Sequence, residues 1–110
     1  MQNFTEKVLN VIKQIPSGKV MTYGQVAAVA GSPRAARQVT RILHSMSGKY
    51  DLPWHRIVNI QGRIAVRDEE SQFSQRKLLQ DEGVEVDQND RIDLSRFRFD
   101  PNREETNESC

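Results

Sequence analysis

The stretch that decides the fold of this protein is TYGQVAAVAGSPRAARQV, residues 22–39. Thr22 is a residue type that caps helix N-termini, and a short apolar-periodic run follows it. Gly31 stands where a helix needs a left-handed residue in order to end. The pattern predicts a short helix after Thr22 whose inner face carries Val26, Val29 and Ala30.

A second helix is predicted directly after the first. Ser32 is a good N-cap, and Pro33 falls at the first helical position, where its missing N–H costs nothing. One face of this helix would carry Ala36, Val39, Leu43 and Met46, with Ile42 beside them, and the other face Arg34, Arg37, Gln38 and Arg41. Two helices joined by about three residues, the second basic on its outer face, form the helix-turn-helix pattern. An ordinary helical hairpin is the alternative.

The sequence before this stretch predicts one more helix. Residues 4–15 have the 3.6-residue apolar period of an amphipathic helix, with Thr5 as a possible N-cap. Pro16 and Gly18 would end it.

The sequence after this stretch predicts short turns and a single further helix. Residues 57–66 indicate a small turn or hairpin around Gln61-Gly62. Residues 68–83 indicate a helix with acidic residues in its first turn. Residues 84–99 alternate as a short hairpin or wing does, and the polar tail after Pro101 is expected to be disordered.

The composition favours a single soluble domain. The chain has 110 residues, of which 36% are hydrophobic and 28% charged, and its mean hydropathy is −0.69. No apolar run approaches the roughly 20 residues that a membrane span needs, and no signal peptide is evident. Cys110 is the only cysteine, so no internal disulfide, metal site or cofactor is expected. We expect a cytoplasmic protein in a bacterium or a nuclear one in a eukaryote.

The two parts of the chain carry opposite charge. The segment from Lys7 to Arg67 contains ten basic residues and one acidic residue, Asp51, so its net charge is +9. From Asp68 onward, thirteen acidic and six basic residues give −7, and with Glu6 the chain sums to +1. Such asymmetry points to a polyanionic partner for the first part. The alternative is that the two parts neutralise each other in the fold.

The stretch LPWHRIVN, residues 52–59, is where chemistry could reside. His55 and Glu82 could serve an enzyme as base and orienting group, but the residue before His55 is Trp54, which cannot be a nucleophile. Cys110, on a polar tail, is a poor nucleophile candidate. The alternative for His55 is a histidine hydrogen-bonded near the core, and for Trp54 a core residue rather than a ligand-stacking one.

Three motifs together, PWHRIVN, TYGQVAAVAG and SPRAARQV, resemble the C-terminal DNA-binding domain of O6-alkylguanine-DNA alkyltransferases. In that family the first motif reads Pro-Cys-His-Arg-Val, and the Cys accepts the alkyl group. Trp54 occupies the Cys position here, as in the alkyltransferase-like proteins. These bind O6-alkylguanine in DNA without repairing it and hand the lesion to nucleotide excision repair.

The resemblance runs from about residue 3 to about residue 95 and implies the fold. We expect a mainly α, winged helix-turn-helix-like domain with one or two short hairpins over residues 1–100. A tail of residues 101–110 would follow it.

Two departures from the family pattern put alkyl transfer in doubt. Ser47-Gly48-Lys49 lies where the transferases usually carry an Asn-Pro, and AVRDEESQF, residues 65–73, replaces their Gly-Tyr-x-Gly-Gly loop. His55 and Glu82 match the pair that activates the Cys in the transferases. With no thiol to ionise, the resemblance implies that they are retained for the geometry of the pocket.

The resemblance also implies the roles of individual residues. Arg37 would insert into the base stack, Tyr23 would turn the nucleotide by pushing its phosphate, and the helix would dock in the minor groove. Trp54, Tyr23, Arg67 and His55 are then expected at the lesion pocket, and Arg34, Arg41 and Lys49 at the DNA backbone. The alternative for Arg67 is a surface salt bridge with Asp68 or Glu69.

The partners implied are damaged double-stranded DNA and the damage-recognition proteins of nucleotide excision repair, with no membrane, and the protein is expected to be a monomer. Two other functions remain open from the residues. One is an alkyltransferase with a displaced nucleophile, for which only Cys110 is available. The other is a helix-turn-helix transcription regulator, which the arginines of the second helix suggest, although no dimerisation helix or effector domain is evident.

Overall fold

The structure is a computed structural model that describes residues 3–66 and 68–101, apart from the side chains of Ser47, Lys49 and Tyr50. Residues 102–110 of the expected tail, residues 101–110, lie outside the described residues, and so does Arg67. The described part is mainly helical, with two short strands and one 3₁₀ turn. In chain order the elements are α1 (Phe4–Lys13), β1 (Met21–Thr22), α2 (Tyr23–Val29), α3 (Ala36–Tyr50), the 3₁₀ turn (Trp54–Arg56), β2 (Ile57–Val58), α4 (Glu69–Asp81) and α5 (Leu94–Phe97).

The helix α1 begins two residues earlier than a Thr5 cap would place it. Asn3 is the N-cap, because its side chain accepts a hydrogen bond from the backbone N–H of Glu6 at 2.8 Å. The Glu6 carboxylate accepts the backbone N–H of Asn3 in return, which completes a capping box. The prediction of Thr5 as the cap was therefore wrong.

The helix α2 begins and ends as its sequence predicts. The Thr22 side chain caps it by accepting the Gln25 N–H at 3.0 Å. Gly31, at φ +100°, follows the last helical residues, and its N–H donates to Ala28 O. The Ser32 N–H donates to Ala27 O at 2.9 Å, so the helix ends in a Schellman motif.

That motif also explains why α3 begins later than predicted. Since Ser32 belongs to the C-terminal motif of α2, it does not cap α3, and Pro33 lies in a turn before the helix. The Ala35 N–H closes this turn on Ser32 O at 3.0 Å, and α3 begins at Ala36. The connection between the helices is thus residues 30–35 rather than about three residues.

The first core cluster lies between α1, α2 and α3. The predicted inner face of α3 is confirmed at Val39, Ile42 and Leu43, while Met46 is partly buried. On α2, Val26 and Ala30 are buried as predicted, but Val29 is 43% exposed. A helix of two turns has only a narrow inward face, and Ala27 occupies the place expected of Val29.

The strands β1 and β2 pair in parallel, with Met21 opposite Ile57 and Thr22 opposite Val58. The predicted turn around Gln61-Gly62 is present, because the Gly62 N–H donates to Asn59 O at 2.9 Å. Gly62 has φ +78°, and a Cβ there would lie 2.5 Å from the Ile92 carbonyl oxygen, so only glycine fits. The strand before this turn joins β1 instead of forming a local hairpin.

The C-terminal part forms the second core cluster and a small wing. The Asp87 N–H donates to Arg91 O at 2.9 Å across a turn, and Arg91 pairs with Arg63 in an antiparallel bridge. The predicted hairpin is therefore present as a turn, whereas α5, capped by Asp93, was not predicted. The buried residues of this cluster are Val20, Val58, Ile64, Leu79, Val84, Ile92 and Phe97.

The predicted helix at residues 68–83 is confirmed as α4, with Asp68 as its N-cap. Among the described residues, no helix is long and apolar enough to cross a membrane. The same part of the chain contains no group of three or more His, Cys, Asp or Glu residues that could hold a metal ion.

Candidate nucleic-acid interface

Three exposed arginines line the start of α3. Arg37 and Arg41 are four residues apart and thus share one face of the helix, and Arg34 precedes them in the turn. Within the part of the chain that the structure describes, none of the three arginine side chains forms a hydrogen bond or an ion pair. Their charges are therefore available to an external anion. The backbone of Lys49 lies in the last turn of the same helix.

The 3₁₀ turn Trp54–Arg56, here called the site turn, follows α3 after a sharp change of direction. Asp51 has φ +52°, and the Trp54 N–H donates to Leu52 O at 2.8 Å, which draws the chain into the turn. Trp54 is half-buried and packs edge-to-face with the His55 ring, with 6.3 Å between ring centroids and an interplanar angle of 86°.

Glu82, directly after α4, binds both residues that follow Trp54. Its carboxylate lies 2.7 Å from His55 Nε2 and 2.6 Å from Arg56 Nη2, and it accepts the Gly18 N–H at 3.0 Å. Burial raises the pKa of the Glu82 carboxyl, but hydrogen bonds from Arg56, Gly18 and His55 together lower it to about 2. The carboxyl is therefore ionised at neutral pH, and His55 Nε2 must donate its proton to it.

His55 has features of both predicted roles, a base oriented by Glu82 and a histidine hydrogen-bonded near the core. The ring is buried, as in a core histidine, yet its partner is the Glu82 carboxylate that the sequence paired with it. Arg56 also donates to Ile15 O at 2.8 Å, so the end of α1, the site turn and the end of α4 are joined in one network. The imidazole is therefore hydrogen-bonded to the Glu82 carboxylate while its ring packs against Trp54.

Tyr23 is the first residue of α2, directly after β1. It is half-buried against the first core cluster, which Trp54 also contacts, and burial raises the pKa of its hydroxyl. The hydroxyl is therefore neutral and can donate a hydrogen bond at physiological pH.

A cleft of about 630 Å³ opens at the site turn. It contains Trp54 and His55, two of the four residues expected at the pocket, whereas Tyr23 does not line it. The fourth, Arg67, lies outside the described residues. The lining residues are Lys13, Gly48, Asp51, Leu52, Pro53, Trp54, His55, Arg56 and Leu78.

One residue of the site was missed in the sequence. Gln75 on α4 is 1% exposed, and its Nε2 donates to His55 O at 3.0 Å and to Ile57 O at 2.9 Å. The only signal for it was its place on the inner face of an amphipathic helix, four residues before Leu79 and seven before Glu82.

The helices α2 and α3 are followed by a small wing, and the arginine side chains of α3 have no partner among the described residues. This arrangement defines a winged helix-turn-helix domain of the DNA-binding kind. Residues 3–84 match the profile of the 6-O-methylguanine DNA methyltransferase, DNA binding domain, and the chain belongs to this family. The resemblance drawn from the three motifs is thereby confirmed.

Two curated relatives are similar over most of the chain. The Escherichia coli DNA base-flipping protein is 45% identical over 97 residues, which cover 88% of this chain and 74% of the relative. Alkyltransferase-like protein 1 of Schizosaccharomyces pombe is 39% identical over 87 residues, which cover 78% of this chain and 81% of the relative.

The solved structures agree with this relationship. The crystal structure of S. pombe Atl1 in complex with damaged DNA containing O6-carboxymethylguanine superposes with a TM-score of 0.81 at 34% identity. The match covers 92% of this chain and all of that one. The expected fold class, a mainly α domain as in the alkyltransferases, is therefore confirmed.

Proposed function

We propose that this protein recognises O6-alkylguanine in duplex DNA, rotates the damaged nucleotide out of the helix and holds it beside Trp54 without transferring the alkyl group. The observation that carries the proposal is the site turn. The His55–Glu82 pair is fully formed, with 2.7 Å between its atoms, but the side chain next to it is an indole. In the transferases that this chain resembles, the same pair activates a cysteine.

The names of the relatives support the flipping step. One is a DNA base-flipping protein, and the S. pombe structure contains DNA with an O6-alkylated guanine. Extruding a base costs a few kcal/mol, and less for a badly paired base. Arg37, exposed and without a partner in the described residues, is suited to fill the gap in the stack. Tyr23, whose hydroxyl is neutral, can press against the adjacent phosphate without charge repulsion.

Trp54 is proposed to contact the extruded base. Base–aromatic contact is worth about 1–3 kcal/mol, which is comparable to the cost of flipping. His55 would keep the indole in place, since the Glu82 carboxylate holds the imidazole and the imidazole packs against the indole edge. Arg67 is proposed as a further contact to the base.

Phosphate contacts are proposed for Arg34, Arg41 and Lys49, which would make binding salt-dependent without selecting the lesion. No thiol lies at the site turn, and the single cysteine of the chain, Cys110, is outside the described residues. The protein is therefore proposed to be a binding protein and not an enzyme. It would act as a monomer, in the bacterial cytoplasm or the eukaryotic nucleus, and present the lesion to damage-recognition proteins of nucleotide excision repair.

The test is a binding titration with two duplexes that differ only in one O6-methylguanine, at physiological salt. Tighter binding of the damaged duplex, with the methyl group still on the recovered DNA after long incubation, supports the proposal. Equal affinity for the two duplexes contradicts it. A methyl mass on Cys110 would instead support a displaced nucleophile, and a sequence-dependent footprint on undamaged DNA would support a transcription regulator.

A further inference from the structure

The inner face of α4 holds the site turn from two directions. Gln75, Leu79 and Glu82 are spaced four and three residues apart and therefore lie on one face of the helix. Glu82 binds the side chains of the turn, whereas Gln75 binds its backbone. Leu79 between them is fully buried in the second core cluster.

Gln75 forms hydrogen bonds on both sides of the junction between the site turn and β2. Its amide nitrogen donates one hydrogen bond to His55 O within the site turn and another to Ile57 O, where β2 begins. Ile57 is in turn paired with Met21 of β1. A single amide thus fixes the site turn relative to the two-stranded sheet, from which α2 starts.

The buried Gln75 amide does not satisfy all of its hydrogen-bonding groups. Its Oε1 is buried and has no hydrogen-bond partner within the described residues, which is costly for a polar atom. An apolar residue would avoid that cost but would leave the two carbonyls without these donors. The two donated hydrogen bonds are therefore what Gln75 provides and an aliphatic residue such as Leu79 cannot.

We infer that Gln75 is a positioning residue for Trp54. The chain before the indole is fixed by the bond from Trp54 N–H to Leu52 O, and the chain after it is fixed by the Gln75 amide at His55 O. Glu82 fixes the His55 ring, which packs edge-to-face with the indole. Removing the Gln75 donors releases the chain on one side of Trp54 while the ion pairs at Glu82 remain.

The consequence for DNA rests on the proposed function. Lesion affinity depends on the placement of the indole, whereas affinity for undamaged duplex depends on the arginines of α3; the Gln75 amide donates to His55 O and Ile57 O and not to these arginines. A change at Gln75 is thus expected to lower the first affinity and to spare the second.

The test compares Gln75→Met, which keeps the length of the side chain and removes its donors, with Gln80→Met on the exposed face of the same helix. Trp54 is the only tryptophan of the chain, so tryptophan emission reports on this site alone. Gln75→Asn is the milder variant, because its amide is polar but one methylene too short to reach both carbonyls. Far-UV circular dichroism at the assay temperature shows that each variant is folded.

For Gln75→Met we expect emission shifted to longer wavelength in the free protein, and a loss of roughly tenfold in affinity for the O6-methylguanine duplex, equivalent to about 1.4 kcal/mol. Affinity for undamaged duplex should stay within about twofold, as should both affinities of Gln80→Met, since surface changes are small. If Gln75→Met does not fold, the same pattern at smaller amplitude is expected for Gln75→Asn.

Unchanged emission in a folded Gln75 variant, or an equal loss of affinity for both duplexes, would overturn the inference. If the unaltered protein itself does not distinguish the two duplexes, the proposed function fails. The emission of the free Gln75 variants then still decides whether this side chain positions the indole.

Discussion

Replacing Glu82 by glutamine removes one charge and one acceptor from the centre of the site network. The carboxylate accepts hydrogen bonds from His55, Arg56 and Gly18, and its side chain is 15% exposed. Glutamine has nearly the same shape, but its amide nitrogen would face N–H donors. Arg56, 18% exposed in its side chain, would lose the carboxylate that balances its charge.

The magnitude follows from the pKa of the Glu82 carboxyl. Its fall from an ordinary value of 4.5 to about 2 corresponds to an upper value of about 3 kcal/mol at neutral pH, at 1.36 kcal/mol per unit. Because the pKa is lowered in the folded state, this contribution is complete above about pH 4.5 and is lost as the pH falls toward about 2.

The assay is urea unfolding followed by far-UV circular dichroism between pH 7 and pH 3. We expect Glu82→Gln to lower the free energy of unfolding by up to about 3 kcal/mol at pH 7, and the difference from the unaltered protein to narrow as the pH falls. The matched control is Glu85→Gln, which breaks an exposed ion pair with Arg96 and should cost at most about 1 kcal/mol. Equal losses for both variants, or a gap that does not change with pH, would refute the reasoning.

Three further predictions concern the DNA interface. Arg37→Ala should weaken binding of an O6-methylguanine duplex more than Arg41→Ala in the same titration, because Arg37 is proposed to fill the place of the extruded base. Equal losses of affinity for the two variants would contradict this role of Arg37. Trp54→Ala should lower lesion affinity by about 1–3 kcal/mol, the value of one base–aromatic contact, and an unchanged dissociation constant would mean that the indole only blocks the chemistry. Trp54→Cys should transfer no methyl group rapidly, as measured by protein mass, because the loop over residues 65–73 also differs from that of the transferases; rapid transfer would show that the cysteine alone suffices.

The two ends of α2 could be predicted because their signals are local. Thr22 and Gly31 bound α2 as the sequence indicates, because a cap and a left-handed terminator act within one helical turn. The same rules misplaced the start of α3, since Ser32 can either cap α3 or take part in the C-terminal motif of α2. The structure uses its backbone to end α2.

The sheet could not be predicted in the same way. The strands β1 and β2 have two residues each, too few for an alternating pattern, and they pair across 36 positions of the chain, as Met21 does with Ile57. A small turn or hairpin was predicted at residues 57–66, and the turn is present. The strand before it pairs with β1, and this nonlocal pairing places the site turn next to the start of α2. Only the assembled fold supplies that neighbour.

The sequence by itself determined the two helices, the basic face of the second and the pairing of His55 with Glu82, because spacing along a helix and a family motif carry that information. The tertiary structure decided how the site turn is held. Gln75 donates to the backbone of the turn, and the Gly18 N–H donates to the Glu82 carboxylate that binds the side chains of the turn. Neither residue has a sequence motif that predicts its hydrogen bond. Such contacts depend on where the chain brings a donor and an acceptor within about 3 Å of each other, and this is fixed by packing rather than by local sequence.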